Sequence, residues 1–451
     1  MAVPPARERP GRQRAASAVA LDCFVQAAQL SRGVTELCSY TQLLTFAQAA
    51  FFSAVNFRVP KPPMRRIRQA KNNAQRKGTM SKHILITGGA GFIGSHLADE
   101  LLSHGYRVRA LDNLSPQVHG ESGRRPDYLD PRVDLVVGDV CDPAAVRRAL
   151  QGVDGVYHFA SAVGVGQSMY EVVHYTRVNN LGTAVLLEAL IEKPVQQLIV
   201  ASSMSLYGEG LYRTGDGELR TVGERPLAQL RAGDWEWRDT DGTTLMPAPT
   251  PEDKVPALAS VYALSKLDQE RLCLMIGRAY GMQTVALRFF NAYGPRQALS
   301  NPYTGVLAIF ASRLLNDSAP KIFEDGYQQR DFVSVYDLAR ACRLALETPA
   351  ASGEVFNIGS GVPMTVREIA QRVADVVGKR HIKPEITGKY RVGDIRHCYA
   401  DIAKARRVLG YAPRVTLDEG LAELAAWLEG QAAVDRVAQA SAELSARGLA
   451  I

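Results

Sequence analysis

The chain is predicted to be an α/β protein: a doubly wound parallel sheet followed by a smaller α/β lobe. Three features of the sequence lead there. A short apolar run is followed by regularly spaced glycines and then by a helical pattern. An aspartate closes the next apolar run. Strand-length and helix-length patterns then keep alternating along the chain.

His83–Thr87 (HILIT) reads as the first strand. Gly88, Gly91 and Gly94 follow, and residues 92–104 carry helical periodicity that Gly105 ends. Residues 108–111 form a second strand that closes on Asp112. Glycines let a backbone approach a pyrophosphate, and a helix N-terminus offers free N–H groups and the positive end of its dipole. An acid about 20 residues beyond such a turn accepts hydrogen bonds from ribose hydroxyls and repels a ribose phosphate. Asp112, followed by neutral Asn113, therefore predicts NAD rather than NADP. Further strands are expected at 132–140, 154–161, 197–203 and 284–290, with helices at 179–190 and 263–280. Ligands of parallel sheets sit at the carboxyl ends of the strands, where Asp139, Phe159, Ala160 and Ser203 fall.

The segment SVYALSK (260–266) sets Tyr262 and Lys266 four positions apart, on one face near the start of a helix. Both point back toward the strand that ends in Ser203. A tyrosine ionises at about pH 10 in water. A neighbouring ammonium, and the positive nicotinamide ring of NAD, favour the phenolate and lower that value. Tyr262 is then a general base, and Ser203 holds a substrate hydroxyl and relays a proton. The set suits oxidation of a secondary alcohol.

The motifs TGGAGFIG, DNL, GDV, HFA, SSMSLYG, YALSK, RFFNAYGPRQ, QQRDFVSVYDLA and RVGDIRHCYAD occur in that order. Together they resemble the extended short-chain dehydrogenase/reductase family, and within it the NAD-dependent nucleotide-sugar epimerases and dehydratases. The resemblance covers residues 82–430. It implies a Rossmann-type sheet and a Ser203, Tyr262 and Lys266 triad. It implies NAD contacts from Gly88, Gly91, Phe92, Ile93, Asp112, Asn113, Asp139, Val140, Phe159, Ala160, Asn179, Tyr262, Lys266 and Phe290. It also implies that the C-terminal lobe binds a nucleoside diphosphate sugar. In that lobe, Asn291 follows a buried-looking strand and needs a polar partner such as a diphosphate. Arg330 and Arg391 suit phosphate oxygens, and Asp394 suits a nucleoside ribose.

In this family the dehydratase branch places an Asp and a Glu directly after the Ser/Thr, where this chain has Met204 and Ser205. Neither is an acid or base, which disfavours dehydration and decarboxylation. An epimerase needs no added group, so inversion at the sugar's fourth carbon is the expected reaction, with dehydratase, decarboxylase or reductase as the alternative. The chain also departs from many galactose-type 4-epimerases, which carry a lysine where Val163 stands. A long insert (209–255), with YGEGLYR and SNPYTGVLAIFASRLL, resembles bacterial dTDP-L-rhamnose or UDP-glucose 4-epimerases. Loops this long tend to be functional or mobile, and this one shows no obvious regular structure. Relatives carry cysteines in this insert, and this chain has none there, so no metal site is expected.

Residues 1–79 carry 13 Lys and Arg against 3 acids, and the remainder carries 40 against 43. The basic balance belongs to this leader, and the body offers no electrostatic case for nucleic acid. Residues 37–57 are uncharged, about the length of a membrane span, but seven Ser, Thr, Gln and Asn side chains interrupt them. Met80 opens MSKHILITGG, a natural-looking start, so the leader is expected to be upstream sequence, weakly packed or disordered. An organelle transit peptide is the other reading of its composition. Cys23, Cys38, Cys141, Cys273, Cys342 and Cys398 form no CxxC pair, which fits a reduced, cytoplasmic protein. The resemblance implies a homodimer; the apolar face of VLLEALIE (185–192) is wide enough for the sheet and a partner helix, and packing within one chain explains it equally well. The expected organisation is the leader, an NAD-binding domain (80–290), a nucleotide-sugar lobe (291–430) and a tail (431–451).

Overall fold

The first strand, β1 (His83–Thr87), is buried along its whole length, as befits a strand covered on both faces. It ends at Gly88, whose φ of 69° lies in the left-handed region. Helix α1 (Phe92–Ser103) then packs unusually close to the turn: a β-carbon on Gly94 would stand 2.3 Å from the Gly88 carbonyl oxygen. Strands β2 (Arg107–Asp112), β3 (Asp134–Val137), β4 (Gly155–His158) and β5 (Gln197–Ser203) follow. Helices α2 (Pro143–Ala149) and α3 (Gly182–Glu192) connect them. These coordinates are a computed structural model, which describes residues 81–303, 305–391, 393–431 and 435–450. Every expectation for the leader lies outside the described residues.

Two expected strands are shorter than their apolar runs. After β3 the Asp139 carboxylate accepts the Cys141 N–H at 2.8 Å and turns the chain. After β4 the Ala160 N–H donates to Thr87 Oγ1 at 3.1 Å instead of to a strand, and the Phe159 N–H is shared between that hydroxyl and the Thr87 carbonyl, both at 3.1 Å. Helix α3 starts three residues late because residues Thr176–Leu181 form a wider, π-type turn.

The insert forms regular structure, contrary to the expectation of a loop. Strands β6 (Leu211–Arg213), β7 (Leu219–Thr221) and β8 (Met246–Ala248) make a small antiparallel sheet in the order β7-β6-β8. Helix α4 (Val261–Tyr280) follows, with Ser260 capping it through the Ala263 N–H and Gly281 ending it at φ 72°. It leads into β9 (Gln283–Phe289).

Past residue 290 the chain builds the lobe and returns to the sheet. Strand β10 (Asn291–Tyr293), helix α5 (Val306–Leu315), β11 (Lys321–Ile322) and β12 (Gln329–Ser334) precede helix α6 (Val335–Glu347). Strand β13 (Val355–Ile358) completes a parallel sheet of order β13-β9-β5-β4-β1-β2-β3. The lobe resumes with β14 (Pro363–Thr365), α7 (Val366–Val376), β15 (Glu385–Ile386) and β16 (His397–Cys398). Helices α8 (Ala403–Leu409), α9 (Leu417–Leu428) and α10 (Val437–Ala446) finish the chain.

One face of the main sheet buries Leu97 and Leu101 of α1 with Leu338 and Leu346 of α6. The other buries Val146 of α2, Leu186 and Leu190 of α3, and Cys273 of α4. A third cluster, in the lobe, joins Phe310, Val373 and Leu424. Buried charges tie these parts together. Arg288 of β9 donates to both oxygens of Glu270 on α4, at 2.8 and 2.9 Å, and Ser202 of β5 donates to the same carboxylate at 2.7 Å. Arg396 is fully buried and bonds Glu324, Asp325 and the insert's Glu236. Arg225 of the insert reaches Glu324 at 2.7 Å. Among the described residues no helix is long and apolar enough to cross a membrane.

Two predictions follow from these pairs. Glu270→Gln leaves Arg288 buried without its counter-charge and should cost about 3–5 kcal/mol of unfolding free energy in denaturant titrations. Burial alone would raise the Glu236 carboxyl, but hydrogen bonds from His397 and Arg396 outweigh it and bring it down to about 2. A carboxyl depressed in the folded state contributes stability above its unfolded pKa, and that stability is lost as pH falls toward the folded value. Glu236→Gln should therefore flatten the loss of thermal stability that the native protein shows below about pH 4.5.

Candidate active site

A cavity of about 710 Å³ is lined by the glycine turn, by the carboxyl ends of the main-sheet strands and by the lobe. Gly88, Gly91, Phe92 and Ile93 line it from the first turn, and Asp112, Asn113, Asp139, Val140, Phe159, Ala160 and Phe290 from later strand ends. A β-carbon on Gly91 would meet only the Gly88 carbonyl oxygen, at 3.4 Å, and would otherwise stand in the cavity. Asp112 accepts the N–H groups of Ala90 and Leu114, one on each oxygen and both at 3.0 Å, so each oxygen keeps a lone pair for an outside donor. Lining cations are Lys266, Lys321, Arg330 and Arg391, and none lies in the segment after β2. The basic group beside Asp112 is the His119 imidazole, with Nε2 3.5 Å from Oδ1, and no Lys or Arg lines the cavity there; a carboxylate without a guanidinium or ammonium clamp fits the ribose of NAD and disfavours a ribose phosphate. The turn and the acid thus suit the cofactor.

Ser203, Tyr262 and Lys266 also line this cavity. Ser203 is buried at the end of β5, its hydroxyl accepts the Ser205 N–H at 3.1 Å, and it hydrogen-bonds the Tyr262 phenol. One turn along α4, Lys266 is 3% exposed and donates to Gln269 Oε1 at 2.7 Å. Burial brings the lysine down to about 7, with Cys273 and Glu270 opposing. Burial pushes the tyrosine up, and the Ser203 hydrogen bond works against it. The expectation of a phenol lowered by the neighbouring ammonium is therefore not met in the protein alone. Desolvation dominates at the phenol, and the Lys266 amine is bonded to Gln269.

Asn291, Arg330, Arg391 and Asp394 line the cavity from the lobe. Asn291 Nδ2 donates to the Asp331 carbonyl at 3.0 Å. Asp394 is clasped by Arg391 at 2.6 Å and Arg330 at 3.4 Å, and Arg391 lies over the Phe323 ring at 4.7 Å. Burial would raise the Asp394 carboxyl, but the two guanidinium groups hold it below its ordinary value. Asn179 is the exception among the expected cofactor contacts. It is fully buried, is not among the lining residues, and bonds Ala162 N, Ala162 O and Ser265 Oγ. Its side chain shapes the loop after β4.

The expected tail is part of the cavity wall. Ala440, Ser441 and Leu444 of α10 line it, as does Leu449. Glu443 accepts from Tyr170 and Tyr303, both at 3.0 Å, and Arg447 covers the Tyr170 ring at 4.3 Å. The apolar spacing of Ala440 and Leu444 was the available signal. Gln297, buried with an unpartnered Oε1, also lines the cavity and was not anticipated. Among the described residues no group of three or more His, Cys, Asp or Glu is placed to hold a metal ion.

The NAD dependent epimerase/dehydratase family matches residues 84–228 and 242–359. A dTDP-L-rhamnose 4-epimerase of Burkholderia thailandensis is 35% identical over 351 residues, covering 77% of this chain and 95% of that protein. Matches extend to proteins named as a decarboxylase and a 4,6-dehydratase. The crystal structure of UDP-glucose 4-epimerase from Thermotoga maritima with UDP-glucose superposes with a TM-score of 0.62 at 32% identity, over 77% of this chain and 98% of that one. The UDP-glucose 4-epimerase of Thermus thermophilus in complex with NAD superposes with a TM-score of 0.61 at 31% identity, over 78% of this chain and all of that one. With the glycine turn, the Asp112 acceptor and the Ser203, Tyr262 and Lys266 cluster on one cavity, these matches show that the chain belongs to the NAD dependent epimerase/dehydratase family.

Proposed function

We propose that the protein is a nucleotide-sugar 4-epimerase that inverts the fourth hydroxyl of a dTDP-L-rhamnose or UDP-glucose/galactose type substrate through a 4-keto sugar. The observation that carries this reading is the Ser203, Tyr262 and Lys266 cluster, with Met204 and Ser205 where a dehydratase would need an acid and a base. NAD, when bound, supplies hydride acceptance and return at the fourth carbon. The glycine turn would lie against its pyrophosphate, and Asp112 would accept from its ribose. Phe92, Ile93, Asn113, Asp139, Val140, Phe159, Ala160 and Phe290 line the remainder of its site.

Ser203 holds the fourth hydroxyl, and Tyr262 takes its proton as general base and later returns it. Lys266, in its charged form, lowers the cost of the phenolate. Arg330, Arg391 and Asn291 face the diphosphate, and Asp394 faces the nucleoside ribose, its charge held by the two arginines. We assign α10 and Leu449 the role of closing the sugar end. The protein is proposed to act in the cytoplasm as a homodimer. Leu264 and Met275 of α4, with Leu181 before α3, leave large apolar side chains exposed for a partner helix. We take the NAD domain as residues 80–290 with α6 and β13 added, the insert as 209–255, and the lobe as starting at 291 with the final segment added.

The full chain, incubated separately with dTDP-L-rhamnose, UDP-glucose and UDP-glucuronate, should return one product of unchanged mass with inverted configuration at the fourth carbon and no net reduced cofactor. A product lighter by water or carbon dioxide, or stoichiometric cofactor turnover, would select the dehydratase, decarboxylase or reductase alternative. Tyr262→Phe should lower kcat by about 100-fold or more while NAD stays bound; undiminished turnover would remove the proposed base. Deleting residues 435–451 should raise KM for the sugar nucleotide by about tenfold, roughly the worth of one buried apolar side chain, and leave NAD affinity unchanged.

A further inference from the structure

We infer that Gln269 is a positioning residue: its carbonyl oxygen, oriented by a buried hydrogen-bond chain from Thr87 through His158 and Thr183, fixes the amine of Lys266 and keeps it protonated. This rests on the role given to Lys266 above. Gln269 is 1% exposed and touches none of the reacting groups except through that lysine.

The direction of each bond can be worked out. Thr87 Oγ1 receives the N–H groups of Phe159 and Ala160, which only donate. The threonine's own hydrogen therefore goes to His158 Nδ1, 2.9 Å away. His158 is neutral, because burial, and then the charge of Lys266, bring it down to about 3. With Nδ1 accepting, the ring hydrogen sits on Nε2 and points at Thr183 Oγ1, at 2.9 Å. Thr183 in turn donates to the Asn179 carbonyl. The Gln269 amide nitrogen lies 3.0 Å from Thr183 Oγ1 and 3.2 Å from His158 Nε2, and it donates into this pair of groups whichever ring nitrogen carries the hydrogen. That leaves the amide oxygen facing Lys266. Reversing the amide would set two donors 2.7 Å apart at Lys266 and two acceptors 3.0 Å apart at Thr183. In a buried site such contacts are strongly unfavourable.

The other groups around Lys266 do not replace this acceptor. Tyr262 lies one turn back on α4. Glu270 is already bonded by Arg288 and Ser202. Cys273 is a thiol that burial pushes up to about 12. His158, from β4, has both ring nitrogens committed. Among the described residues, Gln269 Oε1 is the one acceptor hydrogen-bonded to the amine. A neutral acceptor bonded to a buried ammonium favours the charged form without neutralising it. The positive charge stays available to the Tyr262 phenolate, whereas a carboxylate at the same place would compensate it.

The test uses the full chain with its NAD and the substrate identified above. Epimerisation is followed from about pH 6 to 10, with melting temperatures alongside, for Gln269→Leu, Gln269→Glu, Thr183→Val and Lys266→Met. Gln269→Leu should lower kcat about ten- to a hundredfold with KM nearly constant, and shift the alkaline limb of the kcat profile down by about one pH unit or more. Gln269→Glu should shift that limb up. Thr183→Val, which frees the amide to turn, should shift it down by less than the leucine variant. Folded variants whose alkaline limb stays in place would overturn the inference, since a residue that only packs would not move a titration. If the leucine variant does not fold, the glutamate variant decides by the same criterion. Lys266→Met should be inactive. If it retains turnover, the reading of the lysine itself fails; if it is inactive while the Gln269 limbs stay unmoved, only the role of Gln269 fails.

Discussion

Arg288 and Glu270 meet in the interior of the main sheet, and the geometry of the active site hangs on that meeting. The guanidinium comes from β9 and the carboxylate from α4. Ser202 of β5 binds the same carboxylate, and the Tyr207 hydroxyl and the Glu252 carbonyl accept from the guanidinium, both at 2.8 Å. One knot therefore fixes two strands, the helix between them and the end of the insert. Ser203 is the next residue after Ser202. Lys266 lies one turn before Glu270, and Tyr262 one turn before that. A buried ion pair is weak evidence for net stability, but it tolerates only one arrangement of its partners. Here that arrangement places a serine, a tyrosine and a lysine on the same cavity.

The burial that organises the site also sets its resting electrostatics. Lys266 is pulled down toward neutrality and Tyr262 is pushed up. Burial disfavours the charged form of both, and the hydrogen bond from the Lys266 amine to Gln269 Oε1 works the other way on the lysine. The lobe follows a different rule. Its anionic Asp394 is neutralised in advance by Arg330 and Arg391, so the two cations arrive at the cavity already oriented. The insert is anchored through Arg225 and Glu236 to Glu324 and Arg396 of the lobe.

Much of this was legible in the sequence because the physics behind it is local. The HILIT run, the glycine spacing and Asp112 depend on residues within about one βαβ unit, and the structure places them as the pattern requires. Tyr262 and Lys266 share a helix face for the same reason. What escaped was non-local. The β-structure of the insert is held by partners roughly a hundred residues or more away in sequence, such as Glu324 and Arg396. The final helix reads as an unremarkable Ala-rich segment until Tyr170 and Tyr303 are seen to clasp Glu443. Asn179 sits in the cofactor segment of the sequence, yet its side chain turns inward, because the π-type turn rotates it toward Ser265. The tyrosine's pKa was misjudged because charge proximity is visible in a heptapeptide and desolvation is not.

The central claim is that a single carbon is oxidised and reduced again in one closed cavity, with no proton drawn from a carbon of the sugar. Running the reaction in D₂O and examining the product by NMR tests this directly. The account predicts a product inverted at the fourth carbon with its original hydrogen still there and no deuterium on any ring carbon. Deuterium at the fourth carbon or at either neighbour would show that a carbon-bound proton exchanges with solvent, and would contradict the mechanism assigned to Ser203, Tyr262 and Lys266.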